Sequence, residues 1–162
     1  MPRIALTNDR WGFASQCFVC EPANATGLQI PFFHDEEAQI VVAQFTLSAA
    51  FSGAPNYVHG GISLAILDEA MAWATIAVAG KFAVTKTTTT TFERPIRIGM
   101  AHTVEARVTE QGALLLLTVA TILDAKNRVC ALASAEFVPL DLRQATAAIG
   151  EVGDSHSGFV RP

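Results

Sequence analysis

The segment from Ile62 to Gly80 is almost continuously apolar, and it limits what this chain can fold into more than any other feature. Its Ala, Leu and Met content favours a helix, and two adjacent acids, Asp68 and Glu69, stand near its middle. A central Asp costs roughly 2.5–3.5 kcal/mol even on the mild membrane-insertion scale, so a helix buried in a domain fits better than a membrane span. We therefore expect no membrane partner.

The sequence on both sides of this helix predicts strands. The predicted strands are β-branched or alternate between polar and apolar residues, and they cover 27–33, 39–50, 82–95, 102–111, 113–124 and 129–140. Short turns join the last three, which favours antiparallel pairing. The chain is thus predicted to adopt an α+β fold in which a curved antiparallel sheet of about six strands wraps one long central helix and a partner covers the remainder.

The length of 162 residues fits one main domain. We place an N-terminal arm at 1–26, the main domain at 27–140, and a short helix and tail at 141–162. Half of the residues are apolar, which is enough for a sizeable core.

Charge and cysteine content narrow the possible partners. The formal charge is -4 with both signs scattered, so we expect no nucleic-acid partner. The first residues contain no apolar signal-peptide region, and the three cysteines are interpreted as reduced thiols of a cytoplasmic protein. Cys17 and Cys20 form a C-x-x-C pair, but a zinc site needs two further ligands and no second pair is present. We expect no metal and no cofactor.

The two acids invite both a functional and a structural interpretation. Neither Asp68 nor Glu69 has a basic residue three or four positions away, and an ionised carboxylate among apolar residues is costly unless it is paired or solvated. Each acid is therefore either a catalytic group or a structural carboxylate bonded to the backbone or to a partner subunit.

His59, Gly60 and Gly61 mark the predicted helix start. Free backbone N–H groups and the positive end of the helix dipole lie there, and glycine lets a ligand oxygen approach the backbone closely. This favours an oxyanion site, with a plain turn as the alternative. Gly60 and Asp68 are separated by about 12 Å along a helix, so a site using both must join two subunits across a two-fold axis.

Three motifs together resemble a known family. They are "CFVCEPANATGL" from Cys17, "HGG" followed by an acid nine positions after the His, and "VTKTTTTTFERPI" from Val84. Over residues 17–140 the chain resembles the hotdog-fold acyl-CoA thioesterases, in particular the PaaI-like group. The resemblance implies a hotdog fold, a homodimer or a dimer of dimers, and metal-free hydrolysis of small to medium acyl-CoA thioesters, aryl ones included.

The resemblance also implies roles for four residues. Asp68 matches the carboxylate that acts as general base or nucleophile, and Gly60 matches the backbone donor that polarises the thioester carbonyl. His59 matches a residue that orients the site, and Thr85 matches a hydroxyl that helps to place the attacking water in some members. Glu69 remains a competing candidate for the base.

Further residues are expected to bind substrate. Some members of the family carry Asn or Gln six residues before the His, where this chain has Gly53, and Asn56 is the candidate replacement. Gly61 is expected to contribute to the carbonyl site, Met71 to line the acyl pocket, and Arg94 to meet the phosphates of CoA.

Two alternatives stay open. One is a hotdog dehydratase or hydratase, although "HGG" does not match the motifs of those enzymes. The other is a non-catalytic acyl-CoA-binding regulator, although the chain has no evident DNA-binding segment.

Overall fold

The predicted helix is present and lies on a single antiparallel sheet. In this computed structural model, which describes residues 2–162, seven strands follow the order β1-β2-β3-β5-β6-β7-β4. The elements are β1 (Ile4–Leu6), β2 (Phe32–Asp35), β3 (Ile40–Phe45), α1 (Gly60–Ala77), β4 (Ala83–Phe92), β5 (His102–Gln111), β6 (Leu116–Asp124), β7 (Val129–Pro139) and α2 (Leu142–Ile149). The expected α+β architecture of one long helix and an antiparallel sheet is confirmed.

The core forms where α1 packs against the sheet. Ile66, Leu67 and Met71 of α1 are fully buried, and α1 contacts every strand from β2 to β7. By length and composition alone α1 is also able to cross a membrane. Its buried side chains instead form the centre of the main core cluster, so its apolar character is accounted for by packing.

The N-terminal arm contributes more than the sequence predicted. Residues 4–6, expected to be irregular, form β1 and pair antiparallel with β2. The first predicted strand, 27–33, begins only at Phe32. The residues before Phe32 bond to the N-terminal arm, because the N–H groups of Leu28 and Ile30 donate to the carbonyls of Phe18 and Val19.

The C-terminal segment folds back onto the domain. The short helix predicted after residue 140 is present as α2, and a capping box between Asp141 and Gln144 starts it. The chain then returns so that the Phe82 N–H donates to the Phe159 carbonyl, at 2.9 Å. The predicted tail is therefore packed against the start of β4.

Strand β4 forms one edge of the sheet. It pairs only with β7, so its other side offers unpaired backbone groups. A bulge at Lys86 shifts the register between Thr85 and Thr87, and a bulge of this kind re-aims the neighbouring side chains. Phe92, at the end of β4, is 54% exposed.

The packing of α1 predicts which apolar side chains carry the stability. Ile66→Ala should lower the free energy of unfolding by about 2–5 kcal/mol, because it leaves a cavity under a fully buried side chain. Leu114→Ala, at a side chain that is 71% exposed, should change it by no more than about 0.5 kcal/mol. Urea unfolding of both variants measures the difference, and equal losses would contradict this assignment of the core.

Candidate active site

Asp68 is held by a side chain from a different element. It lies half-buried near the middle of α1, and its Oδ1 accepts a hydrogen bond of 2.7 Å from the Thr85 hydroxyl on β4. No basic side chain among residues 2–162 forms an ion pair with it. The sequence brought both residues forward as candidates, and the structure places them in direct contact.

His59 is the N-cap of α1. Its Nδ1 accepts a hydrogen bond of 2.9 Å from the Gly61 N–H. A Cβ at Gly61 would lie only 3.1 Å from that ring nitrogen, so the glycine lets the ring sit close to the helix end. The N–H of Gly61 is thereby satisfied within the chain, and it is not available for the carbonyl site expected from the sequence.

The backbone N–H of Gly60 remains free to donate a hydrogen bond. The carbonyl that would accept from its N–H in a continuing helix belongs to Asn56, and it accepts from Ile98 instead. No acceptor for the Gly60 N–H is found in the described part of the chain. An exposed, uncommitted N–H at the positive end of an 18-residue helix is suited to bind an oxyanion.

A cavity of ≈ 280 Å³ opens beside Gly60. Its apolar wall includes Tyr57, Phe92 and Ile96, and the edge of the Phe92 ring would lie 3.8 Å from a Cβ at Gly60. The space in front of the free N–H is therefore apolar on one side, which suits the acyl part of a substrate.

Arg94 lines this cavity and also a larger one of ≈ 680 Å³. The larger cavity contains Asn56 and three further cationic side chains, Arg97, Lys126 and Arg128. Arg128 is engaged by Asp124 at 2.8 Å, and Arg94 donates to the Val129 carbonyl at 2.8 Å. Of these basic side chains the sequence predicted a binding role only for Arg94, since no local pattern brings Arg97, Lys126 and Arg128 to one cavity.

The structure locates two residues that precede the helix, Gly53 at the position of the missing amide and its candidate replacement Asn56. Asn56 does not reach Asp68 in any described contact, and it lines the larger cavity instead. A Cβ at Gly53 would lie 3.2 Å from the Cα of His59, so the Gly53 backbone passes too close to His59 for a larger residue without a shift of the loop.

Met71 does not line a pocket. It is fully buried within the core of its own chain, and a side chain in that position has no surface to offer a substrate. The assignment of Met71 to the acyl pocket is corrected accordingly, because its side chain packs inward.

Glu69 faces away from Thr85 and towards the N-terminal arm. Its Oε1 accepts a hydrogen bond from the Cys17 thiol at 3.4 Å, so Glu69 has a polar contact within its own chain. Burial, reinforced by the charge of Cys17, raises the pKa of Glu69 to about 8. The two acids therefore occupy different environments, and only Asp68 meets a hydroxyl on the edge strand.

Comparison with known families supports the resemblance stated above. The family model for the thioesterase superfamily matches residues 55–131, a range that contains His59, Gly60, Asp68 and Thr85. No curated protein sequence matches the chain significantly.

Solved structures with the same fold superimpose on the chain. A thioesterase superfamily protein is 27% identical with a TM-score of 0.70, and the match covers 74% of this chain but only 58% of that protein. The E. coli PaaI protein of the phenylacetic acid degradation operon is 24% identical with a TM-score of 0.62, over 70% of this chain and 80% of PaaI. A Streptococcus mutans protein bound to acetyl-CoA shares the fold at 16% identity and a TM-score of 0.59, over 62% and 81% of the two chains.

The family model matches the central part of the chain, residues 55–131. That region holds α1, its His-Gly-Gly start and the strand that contacts Asp68. Over residues 55–131 the chain matches the model of the thioesterase superfamily, and its fold is a hotdog fold like that of the PaaI-related proteins.

Proposed function

We propose that this protein hydrolyses acyl-CoA thioesters, with Asp68 as general base or nucleophile and the Gly60 N–H as oxyanion donor. The observation that carries the proposal is the combination of an unpaired acid positioned by a hydroxyl and an uncommitted N–H at a helix start. Thioester hydrolysis requires an attacking group and a donor to the developing oxyanion, and these two groups supply them.

The chemistry has two forms that use the same groups. As a base, Asp68 takes a proton from water, and the hydroxide attacks the carbonyl carbon. As a nucleophile, the carboxylate attacks that carbon itself, and water then hydrolyses the anhydride. In both forms the Gly60 N–H stabilises the oxyanion, the C–S bond breaks, and CoA leaves as a thiolate. Thr85 orients the carboxylate through its 2.7 Å hydrogen bond.

The site is proposed to be shared between two subunits. Gly60 and Asp68 are about 12 Å apart along one helix, which is too far for both to act on one carbonyl. The edge of β4 is unpaired, and Leu64 and Asp68 on α1 are only half-buried within the single chain. Pairing of two β4 edges across a two-fold axis would bring Asp68 of one subunit towards Gly60 of the other.

The CoA portion is proposed to run past Arg94. This residue lies between the apolar cavity beside Gly60 and the cavity lined by Arg97 and Lys126. Cationic side chains bind phosphate groups through charge-assisted hydrogen bonds. The thioester would thus lie at Gly60 while the phosphates meet the basic cavity.

The alternatives make different demands on the same residues. A dehydratase or hydratase needs a His free to act with an acid, whereas the Nδ1 of His59 is engaged by Gly61. A non-catalytic acyl-CoA-binding protein would bind substrate without releasing thiol. An acyl-CoA assay with detection of the free thiol, run beside a binding measurement, tests the proposal against both.

Asp68→Asn should reduce kcat at least about 1000-fold while the fold and the oligomer persist, because the amide keeps the shape but is neither a base nor a nucleophile. Glu136→Gln is a matched control, since Glu136 also accepts from a β4 hydroxyl, that of Thr87, at 2.9 Å. It should retain turnover. Steady-state kinetics measure both variants, and turnover of Asp68→Asn within threefold of the original protein would contradict the role of Asp68.

Two inactive variants should restore activity when mixed. Gly60→Pro removes the donor N–H at the first helical position, where proline is tolerated, and Asp68→Asn removes the acid. After subunit exchange, half of the dimers are mixed and each has one intact site, so about a quarter of the original activity should return. Gly60→Ala, which keeps the N–H, is the folding control. Demonstrated exchange without recovery would exclude the shared site.

Aryl and short to medium acyl-CoA should be the best substrates. The apolar cavity beside Gly60 is small, at ≈ 280 Å³, and Phe92 closes one side of it. Each methylene that finds apolar contact contributes only about 0.8 kcal/mol, and one that finds none contributes nothing. A profile of kcat/KM against acyl length, with phenylacetyl-CoA included, measures this. A steady rise beyond about twelve carbons would contradict the small pocket.

A further inference from the structure

Two cysteines and an acid meet at the base of the N-terminal arm, outside the groups used above. The Sγ atoms of Cys17 and Cys20 and a carboxylate oxygen of Glu69 all lie within 4.8 Å of one another. All three cysteines of the chain are free thiols. The fold thereby places Glu69 beside two cysteines that lie about fifty positions earlier in the chain. The C-x-x-C spacing alone did not indicate this third group.

The loop that carries the two thiols is fixed by its backbone. The carbonyls of Phe18 and Val19, between the cysteines, accept hydrogen bonds from Leu28 and Ile30, at 2.6 and 2.8 Å. A Cβ at Gly27 would lie 2.5 Å from the Phe18 carbonyl oxygen, so only glycine allows this approach. Both thiols are therefore held in place before any ligand arrives.

Polar side chains lie beside the two thiols. The Nδ2 of Asn8 donates to the Sγ of Cys20 at 3.7 Å and to the Glu21 carboxylate at 2.8 Å. No basic side chain of residues 2–162 forms an ion pair with Glu69. Three potential anions thus face one another without a cation among the described side chains.

We propose that Cys17, Cys20 and Glu69 bind a thiophilic divalent cation of the Zn²⁺ class. Two sulfur ligands and one carboxylate oxygen suit Zn²⁺, whereas Mg²⁺ and Ca²⁺ take oxygen ligands. Zn–S distances of about 2.3 Å and Zn–O distances of about 2.0–2.2 Å place tetrahedral ligands 3–4 Å apart, and the Cys17 Sγ is 3.4 Å from the Glu69 Oε1. The Oδ1 of Asn8, 4.0 Å from the Cys20 Sγ, or a water supplies the fourth position.

The proposed ion would fasten the N-terminal arm to the middle of α1. Cys17 and Cys20 belong to the arm, while Glu69 is the residue next to Asp68. The ion is assigned no step in thioester hydrolysis, so its role is structural. This differs from the expectation of no metal, which rested on the lack of a second cysteine pair.

Titration of the full chain with Co²⁺ tests the site. The reduced protein, first treated with a chelator, should bind one Co²⁺ and develop a thiolate-to-cobalt charge-transfer band, and Zn²⁺ should displace it. Loss of a partner to a ligand costs about 10–100-fold in affinity, so Cys17→Ser and Cys20→Ser should weaken binding by at least about 100-fold. Glu69→Gln should weaken it at least about tenfold.

Cys130→Ser is the matched control, because Cys130 is a buried thiol on β7 outside the cluster. It should bind Co²⁺ like the original protein. Zn²⁺ should also protect Cys17 and Cys20 of the original protein from alkylation, which peptide mass spectrometry follows without any variant. Absence of the band, an unchanged band in Cys17→Ser, or alkylation unaffected by Zn²⁺ would overturn the proposal. None of these readouts depends on thioesterase turnover.

Discussion

A helix that is apolar on nearly every side has to be covered from nearly every side, and the rest of this chain is arranged to cover α1. Full burial of a Leu or Ile side chain stabilises a domain by about 1.5–3 kcal/mol, and residues such as Ile66 and Leu67 reach full burial. Every strand from β2 to β7 contacts the helix. The face that stays half-buried contains Leu64 and Asp68, and it is the face proposed to meet a second subunit and the substrate.

The two adjacent acids of α1 contact different elements of the fold that surrounds the helix. Successive residues of an α-helix point about 100° apart, so neighbouring side chains meet different elements. Asp68 is directed to β4, where Thr85 offers a hydroxyl. Glu69 is directed to the arm, where Cys17 is its contact and burial raises its pKa to about 8. Two neighbouring carboxylates of one helix thus have different contacts and different environments.

Local patterns predicted much of this arrangement. Strand β5 was predicted with the bounds it has, α1 followed from its composition, and the pairing of β5, β6 and β7 followed from the short turns between them. Strand β1 was missed because three residues carry too little pattern, and its pairing with β2 is decided across the fold. The direction of Met71 was also missed, since an apolar helix gives no sign of which side meets a pocket. The Cys17–Glu69 contact joins residues 52 positions apart, and no local spacing encodes it.

Strand β4 links assembly to chemistry. Its open edge is the surface proposed to pair with a second subunit, and its Thr85 holds the acid proposed to react. The bulge at Lys86 lies directly beside Thr85, so the conformation that the edge adopts also sets the direction of the hydroxyl. A separated subunit would lack the second half of the site and would also leave this strand without its support. The β4 backbone would then decide both whether the second subunit completes the site and how Thr85 orients Asp68. Substitutions in β4 that weaken subunit association should therefore also lower activity.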